Sequence, residues 1–309
     1  MQFNPLFTSQ GHTMSDLANA APSTDDPNAD QVKFWNGEGG RQWAINQENM
    51  DTNLKPFADA ALALASARSG EQVLDIGCGC GDTTLTLSAS VGLDGHAVGL
   101  DISGPMIDRA KERAAAVETM GLPCPRFVLG DASSYAFKPE RFDLLFSRFG
   151  VMFFADPAAA FANMRGALRQ GGRTAFICWQ PMVLNDFFMV PTAAALTILP
   201  APDAPAPNAP GPFAFGDKDR LNGILKDAGF SQISIESLEL DMEVGGGKGI
   251  EAAGRELTRT GPLARLVVDL TEDVREKVTD AVIKALEAHS SGGRVSLGSR
   301  TWLVSAKNN

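Results

Sequence analysis

From Glu71 to about Gln180 the chain alternates short apolar runs with longer stretches of helical spacing. This alternation limits the possible folds more than any other feature. The runs "QVLDIG", "HAVGLDIS", "PRFVLGDAS", "RFDLLFSRFG" and "RTAFICWQ" are short and bounded by Gly, Pro, Asp or Ser, so they read as strands. Helices fill the gaps. One starts near Asp82 as its cap. A second, "GPMIDRAKERAAAVETM", is capped by Ser103 with Pro105 in its first turn. A third, "PAAAFANMRGALRQ", is opened by Asp156 and closed by Gly171 and Gly172. Strands joined by helical crossovers lie parallel, and the crossovers are right-handed. The expected class is α/β, with helices on both faces of a mostly parallel sheet.

The regularity breaks after Gln180. Six prolines fall between Pro200 and Pro212, a density that excludes a helix or a central strand there. The pattern then resumes. "DKDRLNGILKDAGF" is a helix capped by Asp217 and stopped by Gly229, "QISIESLEL" is a strand, residues 245–295 are glycine-punctuated and mainly helical, and "SRTWLVSA" is a final strand. Before the alternating region, residues 1–30 are polar without periodicity and read as a disordered tail, in which Met14 is a candidate start. Residues 31–309 are expected to form one unit, with segments 31–68, 181–215 and 245–295 capping it. The stretch "FWNGEGGRQW" suggests an aromatic flap, followed by an Ala/Leu-rich helix from "NLKPFADAALALASA".

The net charge of -10 argues against nucleic acid or an anionic membrane as partner. The longest uncharged run, Phe187 to Pro202, is too short to span a bilayer, and no secretory signal precedes it. Four cysteines without zinc-ribbon spacing suit a reducing compartment, so a cytoplasmic protein is expected. A metal on Cys78 and Cys80 would need two further ligands, and none of the three histidines is near another His or a Cys in sequence. No metal is expected.

The chemistry concentrates in "VLDIGCGCGDTTLTL", Val73 to Leu87. Glycines between strand and helix let a backbone approach a ligand closely. A dinucleotide fingerprint reads G-x-G-x-x-G, whereas Gly77, Gly79 and Gly81 give G-x-G-x-G. Asp82 in the first helical turn would repel a pyrophosphate. Asp75 and Asp82 beside the loop suit a cationic ligand, and S-adenosylmethionine fits, with a sulfonium, an ammonium and no phosphate. Asp101 ends the second strand, where an acid accepts from ribose hydroxyls, a feature shared with NAD sites. Asp131 ends the third strand, where it can accept from an adenine amino group.

"VLDIGCGCGD", "GLDIS" followed by Met106, "LGDA", "FDLLFSRF" and "ALRQGGR" together resemble class I S-adenosylmethionine-dependent methyltransferases of the small-molecule type, which includes ubiquinone and menaquinone methylation enzymes. The resemblance covers residues 34–180 well and continues more weakly to the last strand. It implies a Rossmann-like seven-stranded sheet of order 3-2-1-4-5-7-6 with the last strand antiparallel. It also implies roles for residues. Gly77 and Gly79 would approach the methionine part of S-adenosylmethionine, and Asp75 would steer its ammonium. Asp101 would hold the ribose, Ile102 and Met106 would sandwich the adenine, and Asp131 and Ala132 would read its edge. Ser147 and Phe149 would sit near the methyl group, and Trp35, Arg41 and Trp43 would contact the cofactor from the flap.

The expected reaction is methyl transfer, at oxygen or carbon, to a small apolar or aromatic acceptor. Proximity and desolvation would drive it, because no histidine is well placed as a base. Asp186, with Asn185 as orienter, is a candidate base. Arg148 is either a salt-bridge partner or a clamp on a substrate carboxylate. "SRFG" after the fourth strand lacks the Pro-Pro-aromatic motif of nucleic-acid amino-methylating enzymes, the acids of catechol-type enzymes and the paired glutamates of protein arginine methylation. Two rivals stay open: a non-catalytic S-adenosylmethionine-binding module and an NAD-dependent oxidoreductase.

Overall fold

The computed structural model describes residues 28–202, 206, 208–259 and 261–309. The expected tail therefore lies outside the described residues, apart from its last three. Those three are ordered: Asn28 is buried and Ala29 opens the first helix.

Among the described residues, eight strands form one sheet: β1 (Gln72–Ile76), β2 (His96–Asp101), β3 (Arg126–Leu129), β4 (Phe142–Arg148), β5 (Leu168–Trp179), β6 (Ser231–Val244), β7 (Ser290–Ser291) and β8 (Arg294–Lys307). The order is β3-β2-β1-β4-β5-β8-β6, with β7 paired only to β8. This is the expected order, with a two-residue strand added where β7 folds against the start of β8. β1 through β5 pair in parallel, and β8 runs antiparallel between β5 and β6. Apolar residues on β1 and β4, such as Val73, Leu74, Leu144 and Phe146, are buried because helices cover both faces of the parallel strands. β6 forms one edge, and along it burial is intermittent.

The helices are α1 (Ala29–Asn36), α2 (Glu38–Ile45), α3 (Gln47–Ala65), α4 (Asp82–Val91), α5 (Gly104–Thr119), α6 (Pro157–Ala167), α7 (Asp186–Ala195), α8 (Lys218–Asp227), α9 (Ile250–Leu257), α10 (Gly261–Val267) and α11 (Glu272–Leu286). Asp156 and Asp217 cap α6 and α8 by accepting from the backbone N–H of Ala159 and Arg220. Three predicted helix ends differ. Gly81, at φ 85°, is the N-cap of α4, and Asp82 is already helical. Ser103 precedes α5 without a capping bond, because its hydroxyl donates to Trp35 O at 2.6 Å. α6 stops at Ala167, and Gly171 and Gly172 lie within β5 at a shift in its pairing with β4. The helix ends early because Leu168 is already extended and pairs with Phe142.

α3 buries Met50, Asn53, Leu54, Phe57, Ala58, Ala61 and Ala65 along one face. The small alanines let it lie close to the sheet beside β5, and Ser66, in the left-handed region, ends it. No helix among the described residues is long and apolar enough to cross a membrane.

Candidate active site

Parallel strands open a crevice at their C-terminal ends where the order reverses, here between β1 and β4. The loop after β1 and the turn after β4 meet there backbone to backbone. Gly77 sits at φ 64°, and a Cβ on it would lie 2.5 Å from Gly150 Cα. A Cβ on Gly150 would in turn lie 2.7 Å from Gly77 Cα and 2.5 Å from Ile76 O. Neither position has room for a side chain. Ser147 locks the turn, donating to Ile76 O at 2.8 Å and accepting from the Gly150 N–H at 3.1 Å. Between them Phe149 is held at φ 62°, a costly conformation for a bulky residue and one that tends to accompany function.

That conformation stacks the Phe149 ring on Trp179 of β5, with centroids 4.3 Å apart and planes 6° from parallel. Phe57 of α3 packs edge-on against both rings, and Phe187 and Phe188 of α7 extend the wall. The glycine loop and Phe149, Trp179, Phe187 and Phe188 line one cavity of about 1450 Å³, with Phe57 buried behind them. Ligand pockets usually run about 300–1,000 Å³, so there is room here for two ligands side by side.

On the loop side, Asp101 is fixed by backbone donors. Gly79 N–H reaches one carboxylate oxygen and Ser103 N–H the other, each at 2.8 Å. Burial pushes its carboxyl above the usual range, against the pull of these backbone bonds. A Cβ on Gly79 would meet Met106 Cε at 2.8 Å, so loop and Met106 face each other across a narrow gap. Asp131 accepts from Asn28 Nδ2 at 2.8 Å and from Ser133. α1 and α2 close over this end. Asn36 bridges Ile102 O and Gly104 N–H, and Ser103 holds Trp35 O. Trp35 packs edge-on against Trp43 and Phe153.

The structure brings Trp35, Trp43, Gly77, Gly79, Asp101, Ile102, Met106, Asp131, Ala132, Arg148 and Phe149 to the cavity wall. Arg41, Asp75, Ser147, Asn185 and Asp186 are not on it. Arg41 is exposed and pairs with Glu38, which does line the cavity. Asp75 lies beneath the loop, fully buried, with one oxygen accepting from Thr83 and Thr84 and the other without a partner. Burial raises its carboxyl to about 6. Ser147 spends its hydroxyl on the turn. Asn185 is buried and bonds Gln180 O, Pro181 O and Arg300 N–H, while Asp186 lies against Gly298 of β8. The candidate base and its orienter thus belong to the structure around α7. Arg148 pairs with Asp82 at 3.0 Å and approaches Asp51 at 3.9 Å, within a cluster completed by Arg113. Its guanidinium is therefore a salt-bridge partner.

Cys78 and Cys80 are buried thiols. Burial pushes Cys78 far up and Cys80 to about 12, so both stay protonated. Among the described residues no group of three His, Cys, Asp or Glu side chains is placed to hold a metal ion.

Sequence reasoning missed Gly150, Trp179, Phe57, Asn28 and Asn36. A glycine two residues past a strand, in "SRFG", is a legible signal. The two asparagines act across separations of 103 and 66 residues, for which the sequence carries no local sign.

Comparison with known proteins agrees with this geometry. A family model described as a methyltransferase domain matches residues 73–172. Demethylmenaquinone methyltransferases from Staphylococcus epidermidis and Staphylococcus haemolyticus are 27% and 30% identical over 191 and 177 residues. These alignments cover 59% and 54% of this chain, and 77% and 72% of the relatives. Two solved structures share the fold. Magnesium protoporphyrin IX methyltransferase from Synechocystis, with bound S-adenosylhomocysteine, gives a TM-score of 0.51 at 14% identity, over 91% of this chain and 100% of that one. Phosphoethanolamine N-methyltransferase 2 of Haemonchus contortus gives 0.52 at 17%, over 91% and 59%. A glycine cradle too tight for side chains, acids at the ends of β2 and β3, and these relatives lead to one conclusion: the chain belongs to the class I S-adenosylmethionine-dependent methyltransferases.

Proposed function

We propose that this methyltransferase alkylates a small apolar or aromatic acceptor at oxygen or carbon, with the acceptor lying against the Phe149–Trp179 stack. The observation that carries this reading is the continuity of that wall with the glycine loop in one large cavity. Relatives named for demethylmenaquinone support an aromatic, quinone-type acceptor.

The residues fit the methyl donor. Gly77 and Gly79 lack a Cβ, so the loop packs on Gly150 and Met106 and keeps its bare backbone at the cavity wall, with the Asp101 carboxylate beside it. In this reading Asp101 takes the ribose hydroxyls, Ile102 and Met106 flank the adenine, and Asp131 and Ala132 lie at its edge. Asp75 acts at one remove, keeping the region under the loop negative near the donor's ammonium. Trp35 and Trp43 cover the donor, and Phe149 stands between donor and acceptor. S-adenosylmethionine supplies an electrophilic methyl group on sulfur. The protein aligns the acceptor and excludes water, and proximity alone can supply about 7–11 kcal/mol of the barrier. The segments 31–68, 181–215 and 245–295 act as caps on a unit spanning residues 31–309.

The test is calorimetric titration with S-adenosylmethionine and S-adenosylhomocysteine beside NADH, repeated with Asp101→Ala. It is followed by labelled methyl transfer to a panel of naphthols, quinols and small polar acceptors. Micromolar binding of the first two ligands, weakened at least tenfold in the variant, and transfer to the aromatic members are expected. Preference for NADH refutes the donor site. Transfer only to small polar acceptors refutes the acceptor class. Donor binding without transfer to any acceptor favours the non-catalytic alternative.

A further inference from the structure

With Asp186 away from the cavity, another acid that lines it is Glu256 of α9. Nothing in its local sequence, "GRELTR", distinguishes it. It is half-buried, and two groups orient it, one of them far away in sequence. Asn53 of α3 donates from Nδ2 to one carboxylate oxygen, and the Gly245 N–H, just after β6, donates to the other at 3.2 Å. Asn53 is itself buried and belongs to the α3 face that carries Met50, Leu54 and Phe57. Phe57 is one turn further on, about 6 Å along the axis, and touches both rings of the Phe149–Trp179 stack. Glu256 is thus tied, through one rigid helix face, to the wall on which the proposed acceptor lies. Met50, Leu54 and Met242 line the same cavity.

We propose that Glu256 is the proton acceptor for the methylated group, so that the acceptor enters with an ionisable X–H, a phenol, enol or quinol hydroxyl. This inference rests on the methyl-transfer reading given above. As the acceptor's X–H bond breaks, its proton passes to a Glu256 carboxylate oxygen. The electron pair left on X, or on the ring carbon conjugated to it, forms the new bond to the methyl carbon. The methyl–sulfur bond breaks with its pair going to sulfur, which turns from sulfonium to neutral thioether. A methylated ring carbon then loses its own proton to solvent, restoring aromaticity. The proton on Glu256 returns to water when the product leaves. Burial raises the Glu256 carboxyl above its ordinary value, against the hydrogen bonds of Asn53 and Gly245 and the charge of Lys248, which bring it down. A carboxylate raised in this way is a stronger base than a solvated one. Asn53 is a positioning residue that aims the carboxylate.

The test is methyl transfer at pH 7 to a series running from 2-naphthol to pentafluorophenol, whose hydroxyls pass from fully protonated to fully ionised at that pH. Wild type, Glu256→Gln and Glu256→Asp are compared, with S-adenosylhomocysteine affinity and thermal unfolding measured for each. A general base contributes about 10²–10⁴-fold. Glu256→Gln should therefore lose on that order with 2-naphthol and less than about fivefold with pentafluorophenol, with donor affinity unchanged. Glu256→Asp should recover part of the loss with 2-naphthol. An equal loss across the series, or none, overturns the proposal, because a merely structural role is blind to acceptor acidity. If the wild type transfers to no member of the series, both this proposal and the aromatic-acceptor reading fall, while donor binding stands or fails on the titration alone.

Discussion

Replacing Gly77 by alanine tests whether the contact between the two crevice backbones builds the donor site. The substitution meets two separate costs. An alanine at φ 64° is in the left-handed region, where an L residue costs about 1–2 kcal/mol. Its Cβ would also lie 2.5 Å from Gly150 Cα, whereas ordinary contact begins near 3.4 Å, so the two backbones would have to part by about 0.9 Å. Overpacking of this kind costs about 1–3 kcal/mol. The combined cost, about 2–5 kcal/mol, is a large part of a typical stability of about 5–15 kcal/mol. Gly121 separates the two costs, since it has φ 70° with nothing within 4 Å of a Cβ. Gly121→Ala should lose about 1 kcal/mol by chemical denaturation and keep its affinity for S-adenosylhomocysteine. Gly77→Ala should lose more stability and weaken that affinity at least tenfold. Where it still folds, methyl transfer should drop about a hundredfold, the usual penalty for a misplacement of about 1 Å. Donor affinity within twofold of wild type in a folded Gly77→Ala protein would refute the reasoning.

Two further outcomes are expected. Burial raises the Asp75 carboxyl from 3.8 to about 6, so the folded state binds its proton more tightly than the unfolded chain. The group's contribution to stability is then largest in acid and falls as pH rises from about 4 to 6. Denaturation of wild type against Asp75→Asn at pH 4 and pH 7.5 should show the variant gaining on wild type by roughly 2 kcal/mol at the higher pH, and a pH-independent difference would contradict this. Ser103→Ala removes the hydroxyl that holds Trp35 O at 2.6 Å. It should cost about 1 kcal/mol and speed S-adenosylhomocysteine release in stopped-flow several-fold, and an unchanged off-rate would show that this bond does not hold the flap.

The sequence by itself determined the parallel sheet and the place of the crevice. Strand length, glycine punctuation and acids at strand ends are local signals, and local signals suffice where each strand–helix unit obeys the same steric rules. The caps of α6 and α8 were legible for the same reason. What the sequence could not show is which polar groups meet across the chain. Ser103 looks like a helix cap, but the arrival of Trp35 O gives its hydroxyl a better use. Asp186 looks like a base beside an apolar run, but α7 turns it toward β8 and away from the cavity. Glu256 looks like an ordinary surface charge until α9 folds back onto Asn53, more than two hundred residues earlier. Tertiary structure decided these roles because a hydrogen bond depends on distance and angle within a few tenths of an ångström. Only the packing of α3, α7 and α9 on the sheet sets those.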